Sequence, residues 1–181
     1  MHSINQIIDG GTPYSIFAAY IDAYRQYITH LKFGWGSSVI DPEIRLKIKL
    51  LSENQINYNP GGTLFEYFYK KKDLYEYEKF VEDHDFKWLE LSRGTVWIED
   101  DEYYRLVKSY STKYNVISEI GYKSAIESDK MSPDDWVNGS RKSLEAGADL
   151  VVIEARETGT AGIVDINGLL KGDIIEVLLK N

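Results

Sequence analysis

Asp149-Leu150-Val151-Val152-Ile153-Glu154-Ala155-Arg156-Glu157-Thr158-Gly159-Thr160-Ala161-Gly162 is the stretch whose reading decides the fold. Leu150 to Ile153 is a short apolar run, as expected of a strand buried on both faces in a parallel sheet. Glu154, Arg156 and Glu157 follow at once, and a turn with Gly159 and Gly162 closes the segment. Charge at the carboxyl end of a buried strand is costly unless it is paired, hydrated or bound to a ligand. In α/β folds that edge is where ligands sit.

The same design recurs along the chain. Ser3–Ile8, Ile28–Trp35, Ile56–Asn59, Lys87–Leu91 and Asn115–Ile120 read as five earlier strands, each followed by helical spacing. Thr12-Pro13, Asp41-Pro42-Glu43, Thr63 to Glu66 and Ser132-Pro133-Asp134-Asp135 read as helix starts. Ile44, Ile48 and Leu51 are the expected buried stripe of the second helix. The helical pattern after Thr63 runs to about Asp85 with a break near Lys72-Asp73. Gly172 to Lys180 closes the chain as a helix.

Strand then helix, six times over, at spacings of about 24 to 35 residues, suits right-handed crossover units of a parallel sheet. A doubly wound sheet and a (β/α)8 barrel of the TIM type both fit this alternation. The glycine fingerprint of a dinucleotide fold is absent after the first strand. A full barrel usually needs about 250 residues, and the chain has 181. The expectation is one domain, residues 1–181, of α/β TIM-barrel type, with about six units. A truncated barrel, a fragment and closure by another chain all remain open on this reading.

Composition excludes several classes of function. There is no cysteine, so disulfides, thiolate nucleophiles and cysteine metal sites are ruled out. A net charge of −8 argues against a general nucleic-acid binder but not against a locally positive anion site. No apolar run approaches the roughly 20 residues of a membrane span, and the start lacks a signal-peptide layout. A cytoplasmic chain, compatible with a homo-oligomer, is expected. The 14 tyrosines are spread out and read as helix faces half in the core. His2, His30 and His84 stand in unrelated contexts and form no catalytic or metal pattern.

The charges late in the strands are the candidate site. Strand side chains alternate in direction, so Lys32 shares a face with Gly34, Glu90 with Ser92, Glu119 with Gly121, and Glu154 with Arg156. If those faces converge, carboxylates Glu90, Glu119 and Glu154 suit a hard cation such as Mg²⁺. Lys32, Lys123 and Arg156, with glycine-rich turns, suit an anionic substrate. Each charge has a plainer reading as a structural ion pair. Glu66 reads as the partner in a capping box, Glu157 as a solvated loop residue, and Gly61-Gly62 as a tight turn.

Five motifs together resemble the phosphosulfolactate synthase family. They are Lys32 to Ser38 (KFGWGSS), Pro60 to Glu66 (PGGTLFE), Glu119 to Lys123 (EIGYK), Leu144 to Asp149 (LEAGAD) and Glu154 to Gly159 (EARETG). They come in that family's order and spacing, from about Ile7 to the end. The resemblance implies a (β/α)8 barrel and a carbon–sulfur lyase that adds sulfite to phosphoenolpyruvate with Mg²⁺. The product is a precursor of coenzyme M or of sulfolactate. It also implies Lys123 as proton donor, Lys32 and Arg156 as anion holders, and Glu90, Glu119 and Glu154 as the metal ligands inferred from position.

Three departures from the family pattern stand out. Arg93 occupies the place of an aspartate, which puts a third cation among the substrate-binding candidates and leaves the nucleophile open. Tyr122 replaces a lysine beside Lys123. The expected seventh and eighth strands, with a glutamate-alanine-proline motif, are not in the sequence. Two alternatives follow: addition of another nucleophile to an enol phosphate, or a catalytically silent barrel fragment that binds an anion or a protein partner.

Overall fold

The computed structural model describes residues 4–156, 159, 161–165 and 167–180. Its contacts divide the chain into two compact units, Met1–Glu90 and Leu91–Asn181. Strands β1 (Gln6–Asp9), β2 (His30–Phe33) and β3 (Asn57–Pro60) form one parallel sheet in that order. Strands β4 (Trp88–Leu91), β5 (Asn115–Ile120) and β6 (Leu150–Ile153) follow one another in the second. The fold is thus a partial, barrel-type α/β arrangement. The described residues supply six strands in two sheets of three and no closed eight-stranded barrel. His2, Ser3 and Glu157, given roles in the sequence reading, lie outside the described residues.

In the first unit, α1 (Tyr14–Tyr24) buries Phe17 and Ile21. Thr12 does not cap it. Pro13 holds the cap position, and the Tyr14 N–H donates to Glu43 Oε2 at 3.0 Å. A short α2 (Ser37–Ile40) precedes α3 (Ile44–Glu53), whose buried residues are Ile44, Lys47 and Leu51. Lys47 therefore takes a buried place in the stripe and Ile48 is only half-buried. The helix pattern after Thr63 splits where expected, into α4 (Gly62–Lys71) and α5 (Leu74–Asp83). Lys72 enters the left-handed region at φ 58°, and Asp73 caps α5 by accepting from the Glu76 N–H. The capping box expected at Thr63 and Glu66 does not form, because α4 starts two residues early, with Gly61 at its cap. Phe86 closes this core edge-on against Phe33 and Tyr58.

In the second unit, α6 (Asp100–Tyr110) buries Tyr103, Val107 and Tyr110, one face at helical spacing. A one-turn helix, α7 (Ala125–Ser128), lies in what reads as a polar loop. Helix α8 (Pro133–Glu145) starts with the reciprocal capping box of Ser132 and Asp135, with proline in its first turn. Trp136 of α8 joins Ile120 and Ile174 of α9 (Gly172–Lys180) in a buried cluster. The run Leu150–Ile153 is half-buried rather than enclosed on both faces, since β6 stands at the end of its sheet order. Gly121, after β5, has φ +119°, and a Cβ there would meet the Trp136 ring at 2.7 Å. Only glycine suits that position.

Candidate active site

The second unit contains a cavity of about 440 Å³ whose wall includes Arg93, Trp97, Tyr122, Lys123, Glu127 and Arg156. Lys123 reaches it from the loop after β5. Its N–H donates to the Gly94 carbonyl at 3.1 Å, and its Nζ stands 3.4 Å from Glu119 Oε1. The lysine stem runs across Gly94, where a Cβ would meet Lys123 Cγ at 3.0 Å. A larger residue at Gly94 would therefore push the lysine aside.

Arg156 is placed by the turn after β6. Its N–H donates to the Ala161 carbonyl, Gly159 N–H donates to the Arg156 carbonyl, and Ala155 bridges Gly162. Ser128 of α7 fixes this turn. It donates from Oγ to the Gly162 carbonyl and accepts the Gly162 N–H, each at 3.1 Å. The unexpected short helix thus sets where Arg156 stands.

Arg93 is held more firmly than either. Its Nη1 donates to Asp100 Oδ1 at 2.7 Å and to the Ile98 carbonyl at 3.0 Å. Its guanidinium lies over the rings of Tyr103 and Tyr104, at 4.7 and 5.6 Å. Asp100 Oδ2 accepts from Lys142 Nζ at 3.0 Å. Burial pushes the Asp100 carboxyl upward, but the hydrogen bonds from Arg93 and Lys142 outweigh it and hold it below the usual carboxylate range. Beneath Arg93, Tyr103 donates to the Leu91 carbonyl and bonds Ser118, which bonds Ser143. Burial pushes the Tyr103 hydroxyl pKa well up. The sequence reading missed Asp100 and Trp97. Asp100 looks like an ordinary acid in the first turn of a helix, and only the fold brings Lys142 to it.

Two further candidates, Lys32 and Glu90, stand in the first unit. Lys32 Nζ donates to Glu90 Oε1 at 3.0 Å, and the same oxygen accepts the Gly62 N–H at 2.9 Å. Glu90 thus anchors the positive end of α4 and pairs with Lys32. A second network went unnoticed in the sequence. Asp9, at the end of β1, accepts the N–H groups of Gly11 and Thr12 on Oδ1 and Lys47 Nζ on Oδ2, and Lys47 also binds Asp41.

The expected Mg²⁺ ligands, Glu90, Glu119 and Glu154, are all buried. Among the described residues, no group of three or more histidine, aspartate or glutamate side chains could hold a metal ion. Glu90 and Glu119 each face a lysine of their own unit, which offers a carboxylate its counter-charge without a metal.

Taken together, the chain combines an α/β fold of barrel type with a cavity edged by a lysine and two arginines, the frame of an enzyme-like chain. Solved structures of the same fold include the carboxyl transferase domain of Rhizobium etli pyruvate carboxylase. That match has a TM-score of 0.59 at 14% identity, over 98% of this chain and 31% of that one. 3-Hexulose-6-phosphate synthase matches with a TM-score of 0.56 at 11% identity, over 96% of this chain and 74% of that one. In sequence, residues 2–181 match the family of (2R)-phospho-3-sulfolactate synthase (ComA). The chain is 32% identical to phosphosulfolactate synthase of Bacillus subtilis over 97% of its length and 69% of that protein. It is 35% identical to the Methanocaldococcus jannaschii protein of the same name, over 97% of this chain and 71% of that one. The chain belongs to the phosphosulfolactate synthase family, a family of enzymes. No helix among the described residues is long and apolar enough to cross a membrane.

Proposed function

We propose that the chain joins sulfite to phosphoenolpyruvate to form (2R)-phospho-3-sulfolactate. The sulfite sulfur attacks the terminal methylene carbon, forming the carbon–sulfur bond. The electron pair of the carbon–carbon double bond moves to the adjacent carbon and spreads into the carboxylate as an enediolate. One proton then reaches that carbon. Phosphoenolpyruvate, sulfite dianion and one proton thus give the product, and the phosphate ester stays intact.

Lys123 delivers the proton as general acid. Arg156 and Arg93 hold anionic groups of the substrate as charged hydrogen-bond donors. The observation that carries this reading is one cavity of about 440 Å³ that takes Lys123, Arg93 and Arg156 in its wall. Family membership supports this choice of substrate pair, which the resemblance implies. The resemblance also implies Mg²⁺. No cluster of three or more of its protein donors is found among the described residues.

The proton step has its own test. In deuterated water the product carries deuterium on the carbon that bears the phosphate ester, and a Lys123→Ala variant forms no such product. Deuterium uptake at the wild-type rate in that variant removes Lys123 from the mechanism. Arg93 favours a second reading, in which another nucleophile adds to the same enol phosphate. Turnover with a thiol or amine in place of sulfite, at a higher kcat/KM, would select it.

A further inference from the structure

Arg93 lines a second cavity of about 420 Å³ as well as the first, together with Asp100, Tyr104 and Lys142. The arginine is therefore a shared wall, and its direction decides which side presents the guanidinium edge. Four contacts fix it: the Asp100 carboxylate, the Ile98 carbonyl, and the rings of Tyr103 and Tyr104. Two of these, from Ile98 and Tyr103, are backbone or core groups that cannot move far. Asp100 is the remaining charged partner, and it stands in the first turn of α6, where the helix end favours a negative charge. Its other oxygen holds Lys142 of α8, whose Nζ lies 5.6 Å from the centre of the Tyr104 ring. Without that carboxylate, Arg93 and Lys142 would be like charges about the same tyrosine ring.

We propose that Asp100 is a positioning residue for substrate binding, which, bracketed by Lys142, holds Arg93 in place as a rigid anion contact. This rests on the reading of the first cavity as the phosphoenolpyruvate site. Asp100 touches no substrate. It acts by sparing Arg93 the rotamer freedom that an unpaired arginine would lose on binding. A half-exposed ion pair contributes little to stability, so the effect belongs to binding rather than to folding.

The test compares Asp100→Asn, Asp100→Glu and Arg93→Met with the unmodified chain. It measures phosphoenolpyruvate binding by calorimetry, steady-state kinetics and thermal melting. Loss of orientation is expected to weaken phosphoenolpyruvate binding and raise its KM about tenfold in Asp100→Asn, with kcat changed far less and the melting temperature nearly unmoved. Asp100→Glu is expected to recover most of the loss, because a charge and a hydrogen-bond acceptor return. Asp100→Asn binding as tightly as the unmodified chain, while Arg93→Met binds poorly, overturns the positioning role and leaves the cavity reading standing. An Asp100→Glu variant as weak as Asp100→Asn also overturns it. If Arg93→Met binds phosphoenolpyruvate unchanged, the cavity reading itself fails and the proposal falls with it.

Discussion

Lys47 Nζ lies 2.7 Å from Asp9 Oδ2, and the lysine has no exposed surface. Asp41, 2.5 Å away on the other side, completes a buried network of one cation between two acids. Asp9 in turn holds the backbone of Gly11 and Thr12, so the network shapes the loop at the carboxyl end of β1. Lys47→Met would leave two acids buried without their cation. Breaking such a network costs about 3–5 kcal/mol, read as a lowered urea midpoint. A loss under about 1 kcal/mol would show that the acids find water or other partners.

The same network sets a pH dependence. Burial raises the Asp9 pKa, but Lys47 and the Thr12 N–H outweigh it, so the folded value lies below the ordinary 3.8. Its stabilisation is present above 3.8 and is lost as pH falls through the lower folded value. Burial lowers the Lys47 pKa, but hydrogen bonds to Asp41 and Asp9 carry it above the ordinary 10.5. Its stabilisation is present below 10.5 and is lost as pH rises through the higher folded value. Unfolding free energy measured against pH should lose its acid limb in part in Asp9→Asn, and an unchanged limb would contradict this assignment.

His30 should act in a different window. It is buried, edge-on to Trp88 at 4.9 Å, with Asn57 Nδ2 at 3.2 Å from Nε2 and Thr29 Oγ1 at 3.1 Å from Nδ1. Burial lowers its pKa below the ordinary 6.5. Its contribution is present above 6.5 and fades as pH falls through the folded value, because the unfolded chain takes up the proton first. Two-dimensional NMR of the imidazole followed through a pH titration should place its midpoint below the ordinary 6.5. A midpoint at or above 6.5 is the contrary result.

Tyr103→Phe removes the hydroxyl that ties the Leu91 carbonyl to Ser118 and Ser143. A buried acceptor left without its donor costs about 1–3 kcal/mol. The ring stays beneath Arg93, so phosphoenolpyruvate binding should fall less than stability. A variant as stable as the parent would mean that the two serines and the carbonyl find other partners.

Gly121→Ala places a Cβ against Trp136 and Glu154 in a backbone conformation of φ +119°. Both the strain and the overlap oppose folding, and the loss should exceed about 1 kcal/mol. Since Gly121 stands between Glu119 and Lys123, activity should fall with stability. A thermal melt within about 1 °C of the parent would contradict the packing account.

Much of the fold was legible because the local signals agree with one another. Strands β5 and β6 begin and end where the apolar runs do, and α9 spans the expected segment. Ser132 at the cap and Pro133 in the first turn mark the start of α8, and the left-handed turn at Lys72 divides α4 from α5. What misled was chemistry that depends on tertiary partners. Lys47 stood outside the expected stripe of Ile44, Ile48 and Leu51, and only the fold brings Asp9 and Asp41 to it from 38 and 6 residues away. Thr12 and Thr63 look like caps, yet proline and glycine take those places.

Of the expected cations, Lys123, Arg93 and Arg156 follow strands and line one cavity wall, as charges at carboxyl ends suggest, while Lys32 stands in the first unit beside Glu90. The carboxylates looked equally like metal ligands and ion-pair partners. Glu90 and Glu119 each face a lysine, a distinction that strand alternation alone cannot make. Asp100 was invisible for the opposite reason, since an acid in the first turn of a helix is already explained by the helix dipole.

The most direct measurement is phosphorus NMR of the purified chain with phosphoenolpyruvate, sulfite and Mg²⁺, beside an EDTA control and the Lys123→Ala variant. The account predicts that the phosphoenolpyruvate resonance is replaced by that of a new phosphate ester, with no inorganic phosphate, and that Lys123→Ala gives none. The EDTA sample reads the metal dependence that the family resemblance implies. A folded chain that leaves phosphoenolpyruvate untouched, or a Lys123→Ala variant that converts it at the parent rate, would contradict the account.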